Sequence, residues 1–136
     1  ITEKKLIDFA ISKKIPILGV CRGMQVLNEY FGGKIIFNEN NNHVGKNHFV
    51  EITDSKISKF TDSPKLQVNS FHHNQININI LGKKLTPFAI SKVDDTIEGF
   101  HHLDLPVVGI MWHPERDNSN STQIDLLKII YCDKIW

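Results

Sequence analysis

Three side chains in this sequence have the types and spacing of covalent acyl chemistry. Cys21 sits in "GVCRG", residues 19–23, between two glycines and at the junction of an apolar run with a helix-like pattern. This is the G-x-nucleophile-x-G arrangement of a strand-to-helix elbow, in which a tight turn projects the nucleophile and small neighbours let strand and helix approach. A thiol at a helix N-terminus also has its thiolate favoured by unpaired N–H groups and the helix dipole. The pentapeptide alone fits a buried, inert cysteine equally well. A base comes from "GIMWHPER", residues 109–116, where an apolar run ends in His113, Pro114 and Glu115. Pro114 favours extended backbone at His113, and in an extended segment residues two apart project to one side. His113 and Glu115 are therefore expected to meet as an imidazole oriented by a carboxylate, the partner a thiol nucleophile needs. Read without Cys21, the same tripeptide is a surface turn with a solvated ion pair.

The elements that must hold these groups follow from periodicity. Thr2 and Glu3 begin a helical pattern of Leu6, Ile7, Ala10 and Ile11, ending near Lys13 and Lys14. Ile15 to Val20 reads as a buried strand, and Met24, Val26, Leu27 and Phe31 recur as a helix that Gly32 and Gly33 end with positive φ. Lys34 to Phe37 is a short strand, and "NENNNHVGKN" an exposed loop. His48 to Thr53 and Leu66 to Val68 are strands, the second interrupted by "NSFHHNQ". Leu85 to Lys92 and Thr96 to His101 form a β-hairpin, Leu105 to Trp112 an apolar strand, and Gln123 to Tyr131 a closing amphipathic helix. Helix, buried strand and helix in succession is the rhythm of an α/β layer. Cys21 and His113 then both follow strands at the C-terminal edge of the sheet, where open α/β sheets place their sites.

The chain has 136 residues, 40% hydrophobic and 23% charged, with a net charge of +1. This is the balance of one globular domain and gives no electrostatic case for nucleic acid or a membrane surface. Two cysteines make no disulfide framework, and without a leader or long apolar run the expected location is the cytoplasm. Seven histidines, including the pairs His72-His73 and His101-His102, raise a zinc alternative. Adjacent histidines on a strand point to opposite faces, and no H-E-x-x-H or C-x-x-C spacing is present, so the reading carries no metal and no cofactor. His43 and His101 then read as loop and strand-end residues, Cys132 and Trp112 as packing, and Glu98 as an outward-facing strand side chain.

Taken together, "PILGVCRGMQVLNEYFGG", "VNSFHHNQ", "TIEGFHH" and "GIMWHPE" resemble the class I glutamine amidotransferase family, in its branch of γ-glutamyl hydrolases and γ-glutamyl-amide hydrolases. The resemblance implies an α/β, flavodoxin-like fold: a central, mostly parallel sheet flanked by helices, with a small antiparallel hairpin. It also implies that residues 1–136 are one domain, about the C-terminal two-thirds of roughly 200 residues, lacking the family's first strands and second oxyanion donor; such a segment alone is expected to be unstable or inactive. By the same resemblance Cys21 attacks a γ-glutamyl carbonyl, His113 serves the leaving amine and then water, Glu115 holds the imidazole, and a γ-glutamyl thioester lies between the steps. The Arg22 backbone N–H serves the oxyanion, Gln25 meets the glutamyl head, and Ser70, Phe71 and His72 bind its amino-acid end. Chemistry alone equally lets Gln25 face solvent. Glu98 stands where the family recurrently has a glutamate near its site. The expected partner is a small γ-glutamyl compound, with no synthase required. An ammonia-delivering amidotransferase subunit, and a non-enzymatic or metal-binding domain of the same fold, are the alternatives.

Overall fold

The computed structural model describes residues 2–39, 44–58, 64–116, 128 and 131. The first helix, α1 (Thr2–Ser12), buries Ile7 and leaves Leu6 and Phe9 exposed. It ends with Lys14 in left-handed geometry (φ 55°), Ile15 N–H donating to Ala10 O (2.8 Å) and Lys14 N–H to Ile11 O (3.1 Å). That is a Schellman ending built on lysine in place of glycine. The strand β1 (Ile17–Val20) leads directly to α2 (Arg22–Tyr30). α2 closes with the same motif, Gly33 N–H reaching Asn28 O and Gly32 N–H reaching Glu29 O. Only Gly32 has the positive φ (88°) that the sequence assigns to both glycines. Gly33 instead makes room for the Asn28 side chain.

Six further strands follow: β2 (Ile36–Phe37), β3 (Val44–Ile52), β4 (Lys65–Phe71), β5 (Asn74–Gln75), β6 (Leu85–Ser91) and β7 (Ile97–His102), with α3 (Ser55–Ser58) after β3. The last strand, β8 (Val107–Ile110), stops two residues short of the expected end at Trp112. The main sheet has the order β1-β8-β7-β6-β3-β4, and β2 pairs with β5 in a small second sheet. The expected α/β layer is present, with β1 and β8 parallel from Ile17↔Val107 to Val20↔Ile110. The expected mostly parallel sheet is corrected to a mixed one among the described residues: the other pairings of the main sheet are antiparallel. The short connections from β6 to β7 and from β7 to β8 can join only antiparallel neighbours, and the expected hairpin β6–β7 thus extends into a broader meander.

Two strands run well beyond the sequence reading. The polar stretch read as loop through Asn47 is strand from Val44, and β4 continues through "NSF" to Phe71. Both follow from one pairing, Val44↔Phe71 to Glu51↔Lys65, whose ladder hydrogen bonds outweigh the low strand preference of asparagine and serine. A register shift at Gly45 (φ 64°) marks a bulge there. Of the expected closing helix, Lys128 and Tyr131 are described and helical; its other positions, and Cys132 and His43, lie outside the described residues.

Two apolar clusters cover the sheet. Val50, Leu66, Phe88, Val108, Ile110 and Trp112 pack on one face. Met24, Leu27, Ile97, Phe100, Val107 and Met111 pack on the other. β8 is buried along its whole length because alternate residues feed both clusters, which is why its sequence is continuously apolar. No helix among the described residues is long and apolar enough to cross a membrane.

Candidate active site

Cys21 occupies the single-residue junction between β1 and α2, at φ 50° and ψ −103°. Side-chain-bearing residues rarely adopt this backbone, and holding one there costs on the order of 1–3 kcal/mol. Two features hold it: the Cys21 N–H donates to Ile110 O (2.8 Å), extending the β1–β8 ladder, and Gln25 N–H donates to Cys21 O (3.2 Å), starting the helix. A Cβ at Gly19 would lie 2.5 Å from Leu27 Cδ1 and 2.6 Å from the Gly23 carbonyl carbon. Gly19 therefore lets α2 sit directly on β1, whereas a side chain at Gly23 would meet open space, so of the two glycines only Gly19 is required by the close approach.

The thiol is half-buried, and burial pushes it above its ordinary value. The Arg22 backbone N–H, donating to sulfur, opposes this, as does the Arg116 charge, while the Glu98 and Glu115 carboxylates add to the rise. The sequence reading of a thiolate favoured at rest is thus corrected: desolvation of the half-buried sulfur outweighs the helix-end N–H. The Arg22 side chain points away, paired with Glu3 at 2.7 Å on the surface.

His113 lies three residues beyond β8, the strand parallel to the one that ends at Cys21. Its Nδ1–H donates to Glu115 Oε1 at 2.6 Å. The expected meeting takes place, but not through extended backbone: Pro114–Arg116 form a 3₁₀ turn in which Arg116 N–H donates to His113 O. The fixed φ of Pro114 suits a first helical turn, and the turn brings residue i+2 under the ring. Burial raises the Glu115 carboxyl, yet the hydrogen bonds from His113 and its own backbone, with the His113 and Arg116 charges, bring it below the usual carboxylate value overall.

A residue not singled out from the sequence fixes this turn. Asn69 of β4 accepts the His113 N–H at Oδ1 (2.8 Å) and donates Nδ2–H to His113 O (2.8 Å), gripping the backbone on both sides. An asparagine inside a strand, where it is intrinsically disfavoured, was the available signal.

Cys21, Gln25, Phe71, His72 and Asn74 line one cleft of about 490 Å³. Gln25 does not face solvent: it is 7% exposed, with Oε1 accepting from Asn74 Nδ2 (3.2 Å) and Nε2 near Met111 Sδ (3.8 Å). Phe71 bridges to the His113 side, its ring edge-on to the imidazole (centroids 6.0 Å) and beneath the Arg116 guanidinium (4.6 Å). Ser70 is fully buried in β4 and does not line the cleft. Glu98, read as outward-facing, is fully buried in β7, with His48 Nε2 and His72 Nε2 each 3.4 Å from its Oε1. The strand is covered on both faces, so alternation gave no sign of which way Glu98 turns. Among the described residues no group of three or more His, Cys, Asp or Glu is arranged to hold a metal ion.

This combination of an α/β sheet, a strained cysteine elbow and a histidine–glutamate pair after the neighbouring parallel strand defines a class of cysteine-centred sites. Residues 1–115 match the profile of the Peptidase C26 family, and the chain belongs to that family. It is 39% identical over 123 residues to the gamma-glutamyl-CDP-amidate hydrolase of Campylobacter jejuni, covering 90% of this chain and 54% of that protein. It is 29% identical over 105 residues to anthranilate synthase component 2 of Saccharolobus solfataricus, covering 77% of this chain and 53% of the relative. The crystal structure of a glutamine amidotransferase from Thermotoga maritima superposes on it with a TM-score of 0.70 at 24% identity, over 98% of this chain and 54% of that one. The chain spans about half the length of the curated relatives it matches.

Proposed function

We propose that the protein containing this chain is a cysteine hydrolase that cleaves γ-glutamyl amide bonds, releasing glutamate and an amine. The observation that carries the reading is the Cys21 elbow, strained at φ 50° and hydrogen-bonded to Ile110, on the strand next to the one that leads to the His113–Glu115 pair. Membership of the Peptidase C26 family and the likeness to a gamma-glutamyl-CDP-amidate hydrolase supply the substrate class.

The mechanism follows from the protonation pattern. Glu115 fixes the imidazole proton on Nδ1, which leaves Nε2 free to accept. A thiol kept protonated at rest gives its proton to Nε2 as sulfur attacks the γ-carbonyl carbon. The oxyanion takes the Arg22 backbone N–H, a contact of a kind worth about 3 kcal/mol in the transition state. The C–N bond breaks, the amine leaves with the proton from Nε2, and a γ-glutamyl thioester remains. Water, deprotonated by Nε2, attacks the thioester, the S–C bond breaks, and sulfur recovers its proton. Gln25, Phe71 and His72, which line the cleft beside Cys21, hold the glutamyl head.

Glutamate release from a set of γ-glutamyl amides, including γ-glutamyl-CDP-amidate, tests this with the full-length protein alone. Release without any partner, lost by about three orders of magnitude in Cys21→Ala, is the expected result. The likeness to a synthase component favours a second reading, an amidotransferase subunit that passes ammonia onward. That reading takes over if release from glutamine occurs only once a synthase is added. If a γ-glutamyl electrophile labels the protein equally well in Cys21→Ala, a non-enzymatic role is left.

A further inference from the structure

Beneath the cleft wall lies a buried carboxylate that the mechanism above does not use. Glu98 is 0% exposed, and its Oε1 lies 3.4 Å from Nε2 of both His48, on β3, and His72, just beyond β4. The other ring nitrogen of His72 lies 2.9 Å from Asn74 O. Asn74 O only accepts, so that hydrogen bond places a proton on His72 Nδ1, and a second proton on Nε2 would turn the ring into an imidazolium paired with the Glu98 carboxylate. A carboxylate removed from water needs such a counter-charge. His48 Nε2, from β3, lies at the same distance from that oxygen. His72 is also where the cleft begins: it lines the cavity, and Asn74, which it holds through the carbonyl, donates to Gln25 Oε1. On the opposite side, the backbone oxygen of Glu98 accepts from Met111 N–H (2.8 Å), in the turn that carries the chain to His113.

We propose that Glu98 is a positioning residue for the glutamyl-binding wall: its buried carboxylate holds His72 as an imidazolium and thereby sets the 72–74 segment against Gln25. For its kinetic consequence the inference rests on the γ-glutamyl reading above. Replacing the side chain leaves the backbone bond to Met111, so the His113 side keeps its anchor. Binding of the glutamyl head is what suffers.

The test uses full-length protein and Glu98→Gln, which keeps volume and removes charge. Imidazole ¹⁵N spectra are read at pH 7, independently of any activity. In the parent His72 shows protons on both ring nitrogens, and in Glu98→Gln it becomes neutral. With γ-glutamyl-p-nitroanilide as probe, KM rises about tenfold in the variant and kcat changes less than threefold, while iodoacetamide alkylates Cys21 within threefold of the parent rate. A neutral His72 in the parent overturns the proposal. So does an unchanged KM, or a fall in kcat and alkylation together at constant KM. Should Glu98→Gln not fold, Glu98→Asp retains the charge and is expected to keep the imidazolium with a smaller rise in KM. Failure of the γ-glutamyl reading shows separately, as absence of hydrolysis in the parent; the spectra of the parent decide the Glu98–His72 pair in either case.

Discussion

The Cys21 thiol is held in a conformation that disfavours it and in surroundings that keep it protonated. Burial dominates, so the thiolate fraction of the resting protein at neutral pH is smaller than that of a free cysteine. Iodoacetamide alkylation of Cys21 is therefore expected to keep rising with pH beyond the ordinary thiol range. A rate already at its plateau by pH 7 would show instead a standing thiolate–imidazolium pair. Asn69 makes the second residue-level prediction. Because it grips both backbone groups of His113, Asn69→Ala frees the turn without touching the imidazole–carboxylate bond. On the proposed mechanism, misplacing the His113 imidazole by a fraction of an ångström to an ångström lowers kcat by about ten- to a hundredfold. Steady-state kinetics on a γ-glutamyl amide check this, and kcat within twofold of the parent excludes a positioning role for Asn69.

At the scale of elements, polar side chains close what the helices and strands leave open. Asn28, fully buried at the end of α2, donates to Lys34 O (2.8 Å) and Ile80 O (3.2 Å) and accepts from Gly82 N–H (2.7 Å). Asn28→Ala removes three hydrogen bonds and leaves the buried Gly82 N–H without its acceptor, which is expected to cost about 3 kcal/mol, measured by urea unfolding. His102 does the same for the β7–β8 turn, its Nδ1 accepting from the N–H groups of Asp104 and Leu105 (both 3.0 Å). Burial chiefly lowers its pKa, with Lys84 and His101 acting in the same sense and Asp104 against it. A histidine depressed in the folded state stabilises fully above its unfolded value of about 6.5, and that contribution is lost as pH falls through the folded value. Melting temperatures of the parent are expected to fall on acidification below about pH 6.5 more steeply than those of His102→Gln. Parallel curves for the two proteins would assign the acid sensitivity to other groups.

At the scale of the whole molecule, the site depends on contacts between distant parts of the chain. β1 and β8 are far apart in sequence, yet their parallel pairing puts the cysteine elbow and the histidine turn at one edge of the sheet. The far end of the described chain reaches the same strand, since the Tyr131 hydroxyl donates to Ile17 O at 2.7 Å, and burial raises its pKa far above the phenol range. Tyr131→Phe keeps the ring in the apolar cluster and leaves the Ile17 carbonyl without this donor, which is expected to cost about 1 kcal/mol. Urea unfolding reads the difference, and an unchanged midpoint would show that water replaces the hydroxyl.

Much of this was legible in the chain itself. The strand before Cys21 and the helix after it follow from apolar periodicity, the elbow from two glycines spaced around a thiol, and the meeting of His113 with Glu115 from their separation by one proline. These are local signals, although the last is expected from extended backbone where the chain instead uses the 3₁₀ turn that Pro114 begins. The tertiary structure decided what local signals do not encode. It sets the direction of Glu98 on a strand covered on both faces, the grip of Asn69 on His113 across 44 positions, and the charge state of a thiol whose burial comes from elements distant in sequence. Burial and hydrogen-bond partners are properties of the packed sheet, so the elbow at Cys21 and the meeting of His113 with Glu115 could be read from residue order, whereas the side chains packed around them could not.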